Sequence, residues 1–403
     1  MQRVVLIVLD GLGIGAMPDV PLVRPEDVGA STLRSILKYR GHLTVPTLAR
    51  LGLSHASGIP EIGDLSSSPV ASYGKCMLRH HGADTYMGHQ EIMGSAPRLP
   101  ECGFMDEVGS VIASALRQRG FQVQQPRRNE PWLLVEGRIV VADNMEGEPG
   151  QNINVTASLD EVSFEEIRRV GMVVREVVRV GRVILVGGTG MSLRDVLEHM
   201  VTRGRGTGVD TPGLGVYERP FRVEHLGYGI NPEGQAPTIF VRAGYPVVLI
   251  GKMADIIACQ GAVRFPAIPT AMVFDHLAQA LDSIKRGLIA VNVQETDLAG
   301  HAEDPGRFAE VLELCDLRLG QVIRKLRDGD LLIVVGDHGN DPSVGHPKHT
   351  REFTPLLVYT TAQVGRPLGT RATLADVGAT IVDAVGLERT ESGQSFFSLI
   401  RAA

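Results

Sequence analysis

Residues 331–341 read LLIVVGDHGND, five apolar β-favouring residues, a glycine, and then a burst of side chains able to bind ions. A short apolar run with no polar alternation is the pattern of a strand covered on both faces. The same pattern recurs at residues 4–9, 247–250, 288–293 and 356–359, all read here as parallel strands. Helical spacing lies between them. Residues 308–326 put Phe308, Val311, Leu312, Cys315, Leu319 and Val322 on one stripe, which predicts a crossover helix. Residues 373–385 repeat that spacing, with Thr373 as the predicted N-cap. The predicted fold class is therefore α/β with a mainly parallel central sheet.

The chain has 403 residues, enough for two or three domains, and 43% hydrophobic with 21% charged residues is the balance of a folded protein. A net charge of −6 excludes a general electrostatic bias toward nucleic acid or anionic membrane. Cys76, Cys102, Cys259 and Cys315 are widely spaced, so neither a disulfide scaffold nor a zinc knuckle is indicated, and a reducing cytoplasm is expected. No segment approaches the roughly 20 apolar residues of a membrane span, and the apolar run before Asp10 is too short for a signal peptide.

Residues 97–232 read differently, with an Arg-rich stretch (residues 117–128), short strands near residues 132–134 and 138–142, and a helix at residues 164–178. This is predicted to be a smaller α/β cap inserted between core segments 1–96 and 233–403, with the active site between core and cap. Residues 200–220, MVTRGRGTGVDTPGLGVYERP, are rich in Gly, Pro and Arg and are expected to be loop. The Arg-rich stretch is read as solvated cap surface.

Divalent ions need carboxylate oxygens, manganese and zinc also take imidazole, and in an open α/β sheet such ligands converge at strand ends. Asp10 ends the first strand, Asp297 and His301 come after the strand LIAVNV in DLAGH, Asp337 and His338 close LLIVV, and His349 lies in PKHTRE. Together they predict a two-metal site suited to manganese or zinc better than to calcium or magnesium. In HHGADTYMGHQE, Thr85 offers a hydroxyl at a glycine-flanked turn that opens a helix. Two readings stand side by side: a nucleophile whose Thr85 hydroxyl ligates a metal as an alkoxide and accepts a phosphoryl group, or a helix cap, a role Asp84 fills equally well.

These motifs converge on one resemblance. VLIVLDGLGIGAMPD, ADTYMGHQEIMG, VVLIGKMADI, DLAGH, DHGNDP, HTREFTPLLVY, LADVGAT and SGQSF, in this order along nearly the whole chain, resemble the phosphopentomutase family. That family belongs to the alkaline phosphatase superfamily, with cofactor-independent phosphoglycerate mutase. The resemblance implies an alkaline-phosphatase-like core and phosphoryl transfer through phospho-Thr85 to and from a pentose phosphate or related sugar phosphate. It further implies two ions, manganese foremost with zinc or magnesium as alternatives, one held by Asp10, Asp337 and His338 beside Thr85, the other by Asp297, His301 and His349. Lys252 matches a substrate-facing lysine, against the alternative of an exposed strand-end lysine; a bisphosphate primer is also implied. His89 and Glu91 match the family segment without an assigned step, and His346 is either a loop residue or a supporting donor.

Three departures stand out. The family spaces its ligand Asp and His by five residues, but Asp297 and His301 are four apart, with Thr296 at the fifth position. No arginine comes after GRVI, where the family binds substrate phosphate; GRVILVGGTG continues instead, and residues 187–190 are either a backbone anion site involving Gly188 and Thr189 or a plain glycine turn between strand and helix. Nor can a further family arginine be matched to Arg205, Arg219 or Arg222. The alternative functions are a metal-dependent phosphatase on another phosphorylated metabolite and a non-catalytic sugar-phosphate binder.

Overall fold

A computed structural model of the chain describes residues 2–96, 98–125, 130–147, 149–361 and 365–400. It divides into two compact units, Met1–Pro97 with Asn231–Ala403, and Arg98–Ile230. Arg127 and Arg128 of the Arg-rich stretch lie outside the described residues.

The first unit is built on an eight-stranded sheet in the order Val263–Phe265, Val247–Ile250, Gly287–Val293, Arg3–Leu9, Leu331–Val335, Thr354–Tyr359, Ser72–Cys76, Pro367–Arg371. Its first five strands are parallel. Both faces are covered, which explains the unbroken apolar runs. Val5, Ile7, Ile289, Val291, Leu332 and Val334 face one core with residues of helices Thr32–Arg40, Thr270–Ser283 and Pro305–Lys325. Val4, Leu6, Val8, Leu288, Ala290 and Ile333 face the other, with Ala236–Arg242 and Ala375–Asp383.

Three expectations need correction here. The strand Thr354–Tyr359 runs antiparallel to Leu331–Val335, not parallel. The reason is the connection: no helix separates these two strands, and a parallel return needs a crossover. Thr373 is not the N-cap of its helix, which starts at Ala375 after Leu374 without a side-chain cap. Its hydroxyl accepts from Ala375 N at 3.1 Å and donates to buried Glu91. In the second unit, residues 200–220 are not loop throughout, because Met200–Arg203 and Gly206–Val209 pair as a hairpin. Gly204, at φ 60°, supplies the left-handed residue that a two-residue hairpin turn requires.

The second unit has a six-stranded sheet in which Asn152–Ser158 and Arg182–Gly188 are parallel and the other pairs antiparallel. The crossover between the parallel pair is the helix Phe164–Val177, opened by a Ser163–Glu166 capping box. Among the described residues no helix is long and apolar enough to cross a membrane.

Candidate active site

The central parallel strands Gly287–Val293, Arg3–Leu9 and Leu331–Val335 end together, with Leu9 opposite Val293 and Val8 opposite Val335. The segments leaving these three strands are therefore delivered to one edge of the sheet. Asp10 leaves the first strand of the chain, the short helix Glu295–His301 carries Asp297 beyond Val293, and Asp337 and His338 lie just past Val335.

Thr85 opens the helix Thr85–Ile92, and Asp84 is its cap, accepting from Met87 N at 2.8 Å. Capping does not occupy the Thr85 hydroxyl. Its Oγ1 donates to Asp337 Oδ2 at 2.8 Å, lies 3.5 Å from Asp10 Oδ1, and accepts from Lys252 Nζ at 2.9 Å. Gly88 permits this approach: a Cβ there would come within 2.8 Å of Asp337 O. Behind the turn, the buried Arg351 guanidinium donates to the carbonyls of Leu78, His80 and Gly82 and pairs with Asp19, holding that carboxyl below its usual range.

Two groups of potential ligands form. In each of Asp10–Asp337–His338 and Asp297–His301–His349, donor atoms lie within 4.8 Å of one another. The three histidines are oriented alike, with Nδ1 of His338, His301 and His349 on the carbonyls of Gly339 (2.9 Å), Pro347 (2.7 Å) and Ala83 (2.9 Å). A carbonyl only accepts, so each Nδ1 carries its proton and each Nε2 turns toward the carboxylates. Thr296 donates to Asp10 O at 2.6 Å and Val293 O at 3.0 Å. The shortened spacing thus leaves Asp297, not Thr296, facing the imidazoles.

The donor set fits divalent ions. His338 Nε2 is buried and makes no hydrogen bond among the described residues, although it is 3.1 Å from Asp337 Oδ2 and 3.4 Å from Asp10 Oδ1. His301 Nε2 and His349 Nε2 face each other at 3.0 Å beside Asp297. Acceptors turned toward one volume, the buried His338 Nε2 most of all, are stabilised by a cation. Burial alone would lower Lys252; Asp10, Asp297 and Asp337 outweigh it and hold the ammonium above its usual value.

Lys252 donates to Asp10 Oδ2 at 2.7 Å as well as to Thr85, so it is not an exposed strand-end lysine. Gly188 and Thr189 belong to the second unit. Gly187 and Gly188 belong to the strand Arg182–Gly188, Thr189 N and Oγ1 both donate to Pro220 O, and Gly190 N donates to Asp160 Oδ2. An anion site at residues 187–190 is therefore met by donors already engaged, one of them by a carboxylate. Arg205 pairs with Asp106 and Glu107, Arg219 donates to the carbonyls of Gly190 and Gly215, and Arg222 stacks over Phe164. His346 bonds Asp27. Glu91 accepts from His80 Nδ1 and three backbone N–H groups.

Sequence reading missed Asn292, Asn340 and Glu352. Asn292 Nδ2 donates to Asp10 Oδ2 at 3.0 Å, and Asn340 Nδ2 to Asp297 Oδ1 at 2.8 Å. Glu352, fully buried, accepts from Gly15 N, from Thr32 N and Oγ1, and from Thr350 Oγ1, while burial pushes its carboxyl up to about 7. The one available signal was Asn292 itself, a polar residue inside LIAVNV.

The profile of the metalloenzyme superfamily matches residues 2–389. A phosphopentomutase of Syntrophotalea carbinolica is 34% identical, covering 98% of this chain and 97% of its own, and one of Symbiobacterium thermophilum is 31% identical, covering 100% and 99%. A solved phosphoglycerate mutase of Leishmania mexicana aligns with a TM-score of 0.46 at 14% identity, over 98% of this chain and 97% of that one. The chain belongs to the metalloenzyme superfamily and, within it, to the phosphopentomutase family.

Proposed function

We propose that this metal-dependent phosphomutase carries the phosphoryl group on Thr85 and exchanges it with a pentose phosphate or a closely related sugar phosphate. The observation that carries the reading is the Thr85 hydroxyl, freed from capping by Asp84 and placed between Asp337 Oδ2 and Lys252 Nζ. Asp337 accepts the hydroxyl proton and the Lys252 ammonium stabilises the charge on Thr85 Oγ1 as that proton leaves; the oxygen then bonds to phosphorus while the donor's P–O bond breaks and the departing sugar oxygen takes up a proton. Asp10, Asp337 and His338 would hold one ion, and Asp297, His301 and His349 the other. When bound, such ions supply charge stabilisation on the transferring phosphoryl group. Manganese suits the mixed carboxylate and imidazole donors, with zinc or magnesium as alternatives. The four cysteines are free, which supports a reducing, cytoplasmic setting.

The test is the fate of phosphate when manganese-loaded protein meets ribose 1-phosphate, with and without a sugar bisphosphate primer. Ribose 5-phosphate, free phosphate and the mass of the Thr85 peptide are measured together. Isomer without free phosphate, with phosphorylated Thr85, is the expected result. Free phosphate alone marks a phosphatase, and an unmodified Thr85 during turnover removes the covalent carrier.

A further inference from the structure

Asn292 sits one residue from the end of a strand that is buried along its whole length, and its own side chain is fully buried. Its Nδ2 is 3.0 Å from Asp10 Oδ2 and 2.8 Å from His89 Nε2, while its Oδ1 is buried without a hydrogen bond among the described residues. An ionised carboxylate only accepts, so the amide atom against Asp10 must be the NH2; the reverse assignment sets the amide oxygen against a carboxylate oxygen. One NH2 carries two hydrogens, enough for both neighbours. His89 Nε2 is then an acceptor, and the ring proton resides on Nδ1. That nitrogen lies 2.8 Å from Thr85 O, 3.1 Å from Asp337 Oδ2 and 3.5 Å from Thr85 Oγ1.

We propose that Asn292 and His89 are positioning residues: Asn292, anchored on Asp10, locks His89 as the Nδ1–H tautomer, and that N–H holds the Thr85 turn against Asp337. The chemistry is constrained in two ways. His89 cannot take the Thr85 proton, because its ring lone pair lies on the far nitrogen and is already engaged, so Asp337 remains the acceptor. The pair also links Asp10 to the Thr85 carbonyl at the start of the nucleophile helix, with Asp337 Oδ2 3.1 Å from the same His89 Nδ1, so the hydroxyl is presented to the carboxylates in one geometry. The unsatisfied Asn292 Oδ1 is a cost that an apolar residue would avoid, and the NH2 is what the site gains from bearing it. The kinetic part of the proposal rests on Thr85 being the phosphoryl carrier; the tautomer does not.

The test has two arms. In full-length protein with 15N-labelled histidine, the His89 signals, assigned by their loss in His89→Asn, should show protonated Nδ1 and unprotonated Nε2, both without metal and with magnesium. A ring protonated on Nε2, or on both nitrogens, overturns the proposal. In the second arm, His89→Asn puts an amide nitrogen where Nδ1 was, whereas His89→Gln puts one where Nε2 was. His89→Gln and Asn292→Leu should lower kcat roughly 10- to 100-fold with little change in KM, and His89→Asn should lower it less than His89→Gln does. A Gln variant that equals or exceeds the Asn variant overturns the positioning role. Failure of the carrier reading would appear separately, as an unmodified Thr85 peptide beside an unchanged tautomer.

Discussion

Asp10, Asp337 and His338 have no exposed side-chain surface, whereas Asp297, His349 and His301 are 4%, 19% and 40% exposed. The first group grows from two strands hydrogen-bonded in register and is braced by Gly11 N, Asn292, Lys252 and Thr85 itself. The second joins a helical pair four residues apart to a loop histidine held by the Ala83 carbonyl. With both Nδ1 atoms protonated, the His301 and His349 lone pairs oppose each other at 3.0 Å. The first group is thus assembled by the protein, and the second is completed by what it binds.

The largest expected effect tests the centre that both groups serve. Thr85→Ala should reduce turnover by at least about 10⁴-fold, the scale of removing a covalent nucleophile, while leaving the number of bound ions unchanged. Turnover assays with metal analysis of the same sample check both halves. Wild-type turnover in that variant would mean that neither group serves a phosphothreonine.

Next is Glu352, which braces the loop after Arg3–Leu9 through Gly15, the start of helix Thr32–Arg40, and Thr350. Its carboxyl is raised to about 7 by burial from an ordinary 4.5. A raised carboxyl favours the folded state fully below its unfolded value, and that advantage fades as pH climbs through the folded value. Urea unfolding of metal-free protein at roughly pH 5 and pH 8 should therefore show the wild type losing on the order of 2–3 kcal/mol relative to Glu352→Gln. Parallel profiles would mean that Glu352 keeps an ordinary pKa.

Much of the first group was legible because each strand is a pure apolar run ended abruptly by Asp10 or Asp337. The same continuity hid Asn292: a strand buried on both faces has no polar side from which a misplaced residue stands out. Asn340 and Glu352 act on Asp297 and Thr32, partners 43 and 320 residues away, and no local spacing records such pairs. The arginines of the inserted unit were illegible for another reason. Arg205 finds Asp106 and Arg168 finds Glu224, pairings that only the folded sheet and helices create.

The smallest effects sharpen the contrast between the groups. His301→Ala removes one of the three proposed ligands of the exposed group and should weaken one of two ions roughly 100-fold, leaving the other in place. Asn340→Ala keeps every ligand but frees the Asp297 carboxylate, which Asn340 Nδ2 holds at 2.8 Å. Orientation alone is lost, so about a 10-fold weakening of the same ion is expected. Calorimetric manganese titrations of both variants separate the two affinities. Equal weakening of both ions would show that the two groups are coupled through Lys252, which lies 2.7 Å from Asp10 and 3.7 Å from Asp297. Selective weakening would mean that the buried group keeps its geometry whatever happens at the rim, as its register-locked strands require.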